Sequence, residues 1–127
     1  HRAIKMFTVY QVPTSNYYDA KTGQLTGGFY PNRALINNGC VNDKVEIWKN
    51  IDAYKPVAVF AVDDLDAVFE ASNSPYNREH FESVTTRLAE MHSVSVGDLV
   101  KDSEDKVWLC YNHGWQELYA HKGRLNG

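Results

Sequence analysis

The stretch His92-Ser-Val-Ser-Val-Gly-Asp-Leu-Val100 and the later stretch Trp108-Leu-Cys-Tyr-Asn-His-Gly-Trp-Gln-Glu-Leu118 decide the fold expected for this chain. Val96-Gly-Asp98 is typical of a turn, because glycine tolerates the backbone angles that tight turns need. Short apolar segments follow, separated by polar clusters at Ser103–Lys106 and Asn112–Gly114. The pattern predicts a C-terminal β-meander with a polar, aromatic rim.

Three further strands are predicted at Phe7–Val12, Lys44–Lys49 and Val57–Val62. The first and second alternate between apolar and polar residues, as half-buried strands do. In the first, the odd-numbered residues share one side, Gln11 among them. The third is a continuous apolar run, which indicates a central strand buried on both faces. The second is expected to lie at an edge of the sheet.

Helices are predicted near residues 64–73 and 77–91. Asp64 offers an N-cap oxygen to the first helix, and Pro75 disfavours helical geometry at the residue before it. The second has apolar residues at steps of three and four, namely Phe81, Val84, Leu88 and Met91. The predicted fold class is α+β, with a mostly antiparallel sheet of about four to six strands and these two helices packed on one side.

The length of 127 residues and a hydrophobic fraction of 43% fit a single globular domain. We assign residues 6–127 to this domain and interpret residues 1–5 as vector-derived, with a native start at Met6. Residues 14–42 are rich in Gly, Asn and Tyr and predict a long loop region. Within it, Gly23–Gly28 lacks the Lys-Ser/Thr of a phosphate-binding loop and is interpreted as a hairpin or loop.

Charge and cysteine usage narrow the expected partners and compartment. Thirteen basic against sixteen acidic residues give a formal net charge of −3, which disfavours nucleic acid. The longest apolar run is strand-length, so no membrane partner is expected. Cys40 and Cys110 show no C-x-x-C spacing and are expected to be buried free thiols. With no signal-peptide pattern at the N-terminus, these features favour the cytoplasm.

Three segments carry a resemblance to a known group of proteins. They are Leu65-Asp-Ala-Val-Phe-Glu70 with Asn73, the turn His92–Val100, and Trp108–Cys110 with Gly114–Leu118. These segments and the element order resemble the YodL-like and related uncharacterised small proteins of phages, plasmids and other mobile elements. The resemblance covers less than half of the chain. It implies an accessory protein of mobile DNA, located in the cytoplasm of a bacterial host, and implies no activity.

The candidate binding residues come from the aromatic excess and from the meander. Tyr and Trp are favoured at binding surfaces because they combine a large apolar area with a polar group. The main hypothesis is a non-enzymatic accessory or host-modulating protein that binds a protein partner. The residues assigned to its surface are Tyr17, Tyr18, Tyr30, Ser93, Ser95, Asp98, Tyr111, His113 and Trp115.

Two alternatives stay open at this point. A β-meander opened by Val-Gly-Asp resembles PUA-like barrels, so the chain could hold RNA or single-stranded DNA with the help of Lys101, Lys106, Lys122 and Arg124. A metal-dependent or acid–base enzyme could use His92, Asp98, His113 and Glu117. No ligand spacing requires that cluster. Cys110 with His113 is a weaker nucleophile pair, because a residue within a strand and one in the next turn usually point apart. No cofactor and no metal are predicted.

Overall fold

A computed structural model of the protein describes residues 5–32, 43–73, 78–111, 114–118 and 125. Six strands in this part of the chain form one antiparallel sheet, ordered β3-β2-β1-β4-β5-β6. The strands are β1 (Met6–Gln11), β2 (Lys55–Ala61), β3 (Thr85–Arg87), β4 (Leu99–Lys101), β5 (Val107–Tyr111) and β6 (Gly114–Leu118). The helices are α1 (Asp43–Lys49), α2 (Leu65–Asn73) and α3 (Arg78–Val84).

The sheet buries apolar side chains on both of its faces. Neighbouring residues of a strand point to opposite faces. Val9 and Tyr10 accordingly enter different clusters, as do Leu99 and Val100. Helices α2 and α3 pack on one face, where they contribute Val68, Ala71, Phe81 and Val84. The predicted α+β fold, with two helices on one side and strands β4 to β6 forming a C-terminal meander, is confirmed.

The predicted strand at 44–49 is wrong, because Asp43–Lys49 forms helix α1. The helix buries Ile47 in the core of the second face and leaves Val45 46% exposed, and the 3₁₀ turn Ile51–Ala53 that follows buries Ile51 in the same core. An alternation over only six residues fits either structure, and packing under the sheet selected the helix. The second face therefore has a helical cover that the sequence did not indicate.

The second predicted helix is shorter than expected. Only Arg78–Val84 is helical, and Thr85–Arg87 turns into β3, which pairs with β2. β-branched residues favour this change, and pairing satisfies backbone groups on the outer edge of β2. A bulge at Val57 also contributes, since its carbonyl accepts from the amides of Leu88 and Ala89 at 2.9 and 3.2 Å.

The remaining expectations concern the long loop region, the two cysteines and membrane-spanning helices. Residues 14–32 contain a 3₁₀ turn at Thr14–Asn16 and an isolated bridge between Tyr18 and Leu25. Cys110 is a buried free cysteine as predicted. Cys40 and residues 33–42 lie outside the described residues. None of the helices in the described ranges combines the length and apolar character needed to cross a bilayer.

Gly97 lies in the turn before β4, and residues 31–32 pack closely against it. Substitution of Gly97 tests this packing. Both Gly97 and Gly114 have positive φ, +99° and +103°, so alanine at either costs about 1–2 kcal/mol of backbone strain. At Gly97 the new Cβ would also lie 2.7 Å from Pro31 Cβ and 2.9 Å from the Asn32 nitrogen. No described atom lies within 4 Å at Gly114.

We therefore expect Gly97→Ala to lower the free energy of unfolding by about 1–3 kcal/mol more than Gly114→Ala does. Urea denaturation of both variants, followed by circular dichroism, measures the difference. Equal losses would contradict the close packing of residues 31–32 on the turn.

Candidate functional site

The turn Ser95–Asp98 is organised by the carboxylate of Asp98. Its Oδ2 accepts from the backbone amide of Ser95 at 2.9 Å, and the amide of Asp98 donates to the Ser95 carbonyl at 3.0 Å. Gly97 provides the positive φ inside this turn, and its carbonyl accepts from the Tyr54 hydroxyl at 2.5 Å. Asp98 itself is 4% exposed. The Ser-Val-Gly-Asp segment therefore has a structural role first.

Gln11 connects the turn to the central strand of the sheet. Its Nε2 donates to Asp98 Oδ2 at 3.0 Å and to the His92 carbonyl at 2.9 Å. Its Oε1 accepts from the His92 amide at 3.2 Å. Gln11 is missing from the predicted site. The signal for it was present, because its side of β1 otherwise carries the apolar residues Phe7 and Val9, and a buried amide needs polar partners.

The buried carboxylate of Asp98 titrates far from its usual range. Burial raises its pKa to about 7, while the positive charge of His92 and the hydrogen bonds from Ser95 and Gln11 act in the opposite direction. The desolvation of the charged form outweighs these favourable interactions. Such a shift often marks a functional group, but here both hydrogen-bond donors to Oδ2 come from the scaffold itself.

The three tyrosines predicted to bind a partner from the loop region contact one another, which leaves less of their surface for a partner. The rings of Tyr17 and Tyr30 stack at 4.0 Å, and Tyr18 contacts both edge-on at 5.2 and 5.6 Å. Tyr17 is 5% exposed and belongs to the core, whereas Tyr18 is 39% exposed. Burial is the main cause that raises the pKa of Tyr17. Of this trio, Tyr18 is the ring best placed to meet a partner.

The aromatic residues of the meander do not form one rim. Tyr111 packs against the core on the α1 face, whereas Trp115 packs against the core under α2. Register explains the division, since Trp115 lies opposite Cys110 and Tyr111 lies opposite Gly114. Ser93 is exposed, and its carbonyl contacts His92 Nδ1 at 2.8 Å. His113 lies outside the described residues.

Trp115 instead contributes to a cleft between the meander and the start of α2. This cleft of about 340 Å³ contains three aromatic side chains, four carboxylates and one ammonium group. We call it the Trp–Asp cleft. Its lining residues are Lys5, Phe7, Asp63, Asp64, Leu65, Asp66, Asp102, Trp108 and Trp115. Of these aspartates, Asp64 is predicted from the sequence as a helix cap, and no local pattern connects the four carboxylates with the tryptophans.

Two of these carboxylates also hold the walls of the Trp–Asp cleft in place. Asp102 Oδ2 accepts from Trp108 Nε1 at 2.9 Å, while its Oδ1 accepts two backbone amides of the β4–β5 turn. Asp64 Oδ1 caps α2 by accepting from the Ala67 amide at 2.8 Å. Asp66 is exposed in the first turn of α2. Its carboxylate is therefore accessible to an incoming positive charge.

The enzyme alternatives gain no geometric support. Within the described residues, no group of three or more His, Cys, Asp or Glu side chains is arranged to hold a metal ion. Glu117 lies opposite Trp108 on β6, whereas Asp98 sits in the turn before β4. Burial raises the pKa of Cys110 to about 12, so its thiol stays protonated and is a poor nucleophile near neutral pH.

Comparisons with known proteins give the chain no family. No protein-family model matches it, and no curated protein or solved structure shows significant similarity.

The raised pKa of Asp98 makes the stability of the fold depend on pH. A carboxyl with a folded-state pKa near 7 and an unfolded value near 3.8 binds its proton more tightly when folded. Its contribution to stability is therefore fully present below about pH 4 and is lost as pH rises through 7, by at most about 1.4 kcal/mol per pH unit.

Asp98→Asn keeps an oxygen that accepts both hydrogen bonds but cannot ionise. We expect it to gain stability relative to the wild type as pH rises from 5 to 8, measured by urea denaturation across this range. Glu79→Gln, which removes an exposed carboxylate, is the control and should track the wild type. A constant stability difference between Asp98→Asn and the wild type from pH 5 to 8 would instead show that Asp98 is ionised throughout, and would contradict the raised pKa.

Proposed function

We propose that the protein is a non-enzymatic binding module whose Trp–Asp cleft receives a lysine or arginine side chain from a basic segment of a protein partner. The observation that carries this proposal is the conjunction of three aromatic rings with four carboxylates in one open cleft. Cation–π attraction to Trp and charge-assisted bonds to carboxylates are the two interactions that such a side chain uses.

The geometry of the cleft favours a side chain as the ligand. Phe7 is buried, and Trp108 is fixed through its indole N–H by Asp102, so the apolar walls are ordered before binding. Preorganised walls reduce the entropy lost on association. Asp66 then supplies an exposed carboxylate at the rim. The aliphatic stem of Lys or Arg fits against the rings while its charge reaches the carboxylates.

Nucleic acid is less compatible with this surface. Phosphate groups would be repelled by four carboxylates at the cleft, and the formal net charge of the chain is −3. Two of the lysines considered for RNA already have intramolecular contacts. Lys106 lies 3.8 Å from Glu104, and Lys101 lies 5.8 Å from the centre of the Tyr10 ring. Lys122 and Arg124 are outside the described residues.

The biological setting in this proposal comes from the sequence motifs. The turn at His92–Val100 and the segment Gly114–Leu118 resemble those of small phage and plasmid proteins. We therefore propose an accessory or host-modulating role for a phage or other mobile element, carried out in the bacterial cytoplasm by engaging a host or element-encoded protein.

A pair of peptides tests the cleft directly. We expect a short peptide with Lys and Arg among apolar residues to bind the protein, and its twin with Glu at the basic positions not to bind. Asp66→Asn should weaken the basic peptide about 3- to 10-fold, and Trp115→Leu about 10-fold or more. Fluorescence anisotropy of labelled peptides measures both effects.

Glu79→Gln is the matched control, because Glu79 and Asp66 both lie in the first turn of a helix, and Glu79 does not line the cleft. It should leave the affinity unchanged. Equal binding of the acidic and basic peptides, or equal losses for Asp66→Asn and Glu79→Gln, would reject the cleft as the binding site.

A further inference from the structure

A second cleft lies at the opposite end of α2 from the Trp–Asp cleft. It has a volume of about 380 Å³ and is placed between the last turn of α2, the start of α3 and the segment that follows β3. We call it the Arg–His cleft. Its described lining residues are Ala71, Ser72, Asn73, Arg78, Phe81, Arg87, Met91, His92 and Ser93. This volume lies within the range of small-ligand sites, about 300–1,000 Å³.

The register of β3 directs Arg87 toward this cleft. Arg87 lies opposite Ala58, and Thr85 lies opposite Phe60. Both partners on β2 belong to the core under α2 and α3, and cross-strand neighbours share a face of the sheet. The guanidinium of Arg87 therefore rises from the helix-covered face at the edge of the sheet, where Thr85 is half-buried and Thr86 and Arg87 are exposed.

The lining of the Arg–His cleft is basic, whereas the net charge of the whole chain is negative. All of its described titratable lining side chains are bases, namely Arg78, Arg87 and His92, in a protein with a formal net charge of −3. The side chain of Arg87 makes no hydrogen bond or ion pair within the described residues. Arg78 makes a loose pair with Glu82 at 3.6 Å, where both side chains are mostly exposed. Such a pair contributes little and yields readily to another anion.

The floor of the Arg–His cleft is apolar and ordered. Phe81 meets Phe60 of the core edge-on at 5.8 Å, and Ala71 is buried. Ser72 Oγ and Asn73 Nδ2 donate to the Phe69 carbonyl at 3.2 and 2.9 Å, which reduces the negative potential at the end of α2. Because the Phe69 carbonyl is already hydrogen-bonded, it would repel an anion bound at the guanidinium groups less strongly.

His92 has a defined orientation at the rim of the cleft. His92 Nδ1 lies 2.8 Å from the Ser93 carbonyl and 3.3 Å from Gln11 Nε2, so contacts with two neighbours define the position of the ring. Gln11 holds the backbone of His92 on both its amide and its carbonyl. The imidazole is thus attached to a rigid part of the fold, in contrast to the two long arginine side chains.

From these observations we infer that the Arg–His cleft is a binding site for an oxyanion, phosphate or carboxylate, that is attached to an apolar body. Two guanidinium groups supply the fork-shaped donors that suit either oxyanion. Phe81 and Met91 supply contact area for the apolar part. This site is separate from the Trp–Asp cleft and does not depend on the function proposed for it.

The test titrates the full chain with phenyl phosphate, benzoate, inorganic phosphate and benzyl alcohol, followed by amide chemical shifts. We expect saturable shifts around Asn73, Arg87 and Ser93 with phenyl phosphate or benzoate, and weaker binding of inorganic phosphate and of benzyl alcohol. The tighter of the two aromatic anions identifies the oxyanion. Arg87→Gln should reduce its affinity about 10-fold, and 0.5 M salt should weaken binding, as expected for charge-assisted bonds at an open site.

Lys21→Gln is the matched control, because it removes one positive charge from an exposed loop residue that does not line the cleft. It should bind like the wild type. Arg78→Gln is a second test should Arg87→Gln lower the thermal midpoint. Binding of benzyl alcohol as tightly as of the anions, equal affinities for the arginine variants and Lys21→Gln, or no saturable shift up to about 10 mM, would overturn the inference.

Discussion

The hydrogen bond from Gln11 to Asp98 is the interaction on which the centre of this fold depends. It spans 3.0 Å between two side chains that are 2% and 4% exposed. Removing either partner would leave a buried polar group unpaired, which costs about 1–3 kcal/mol and more for a charged one. Because Gln11 also binds both backbone groups of His92, one polar cluster fixes the whole entry to β4.

This cluster also joins the two cores on either side of the sheet. The segment that it fixes places Val94 in the core under α2 and Val96 against the core on the α1 face. Gly97 follows Val96 in the same turn, where only the absence of a Cβ allows Pro31 and Asn32 to approach. Tyr54 approaches the turn from the α1 side through its hydroxyl. The close packing of both faces thus depends on the turn Ser95–Asp98, which the sequence marks as Ser-Val-Gly-Asp.

The sequence predicted the parts of the fold that have long or well-punctuated patterns. The apolar run of β2, the capped helix α2 and the meander were found because each carries its own signal. Lys44–Lys49 and Thr85–Arg87 were assigned wrongly because tertiary contacts decided them. In the first segment, a six-residue alternation also fits a helix that buries Ile47. In the second, the apolar spacing suggests that the helix continues beyond Val84, but the β-branched residues there pair with β2.

The candidate site was predicted less well, for a reason that lies in the alternation of strands. Aromatic residues close in sequence, such as Tyr111 and Trp115, were treated as one surface although the hairpin sends them to opposite faces. The partners of Trp115 in its cleft come from distant segments, the β4–β5 turn and the start of α2. A single sequence gives composition and local period, but not which loops meet at an end of the sheet.

The charges at the two ends of α2 have an explanation that requires no ligand. Carboxylates at a helix N-terminus and cations near its C-terminus complement the helix dipole, typically by about 0.3–1 kcal/mol each. Asp64 and Asp66 fit the first case, whereas the last turn of α2 has no basic residue and Arg78 reaches that end from the start of α3. The dipole does not account for the open space beside these charges, however. Stabilising α2 requires neither a gap beside Trp108 nor one beside Phe81, and well-packed interiors close such gaps where they can. Charge, aromatic surface and open volume coincide at both ends, and this coincidence is what distinguishes the two clefts from an ordinary helix with favourable terminal charges.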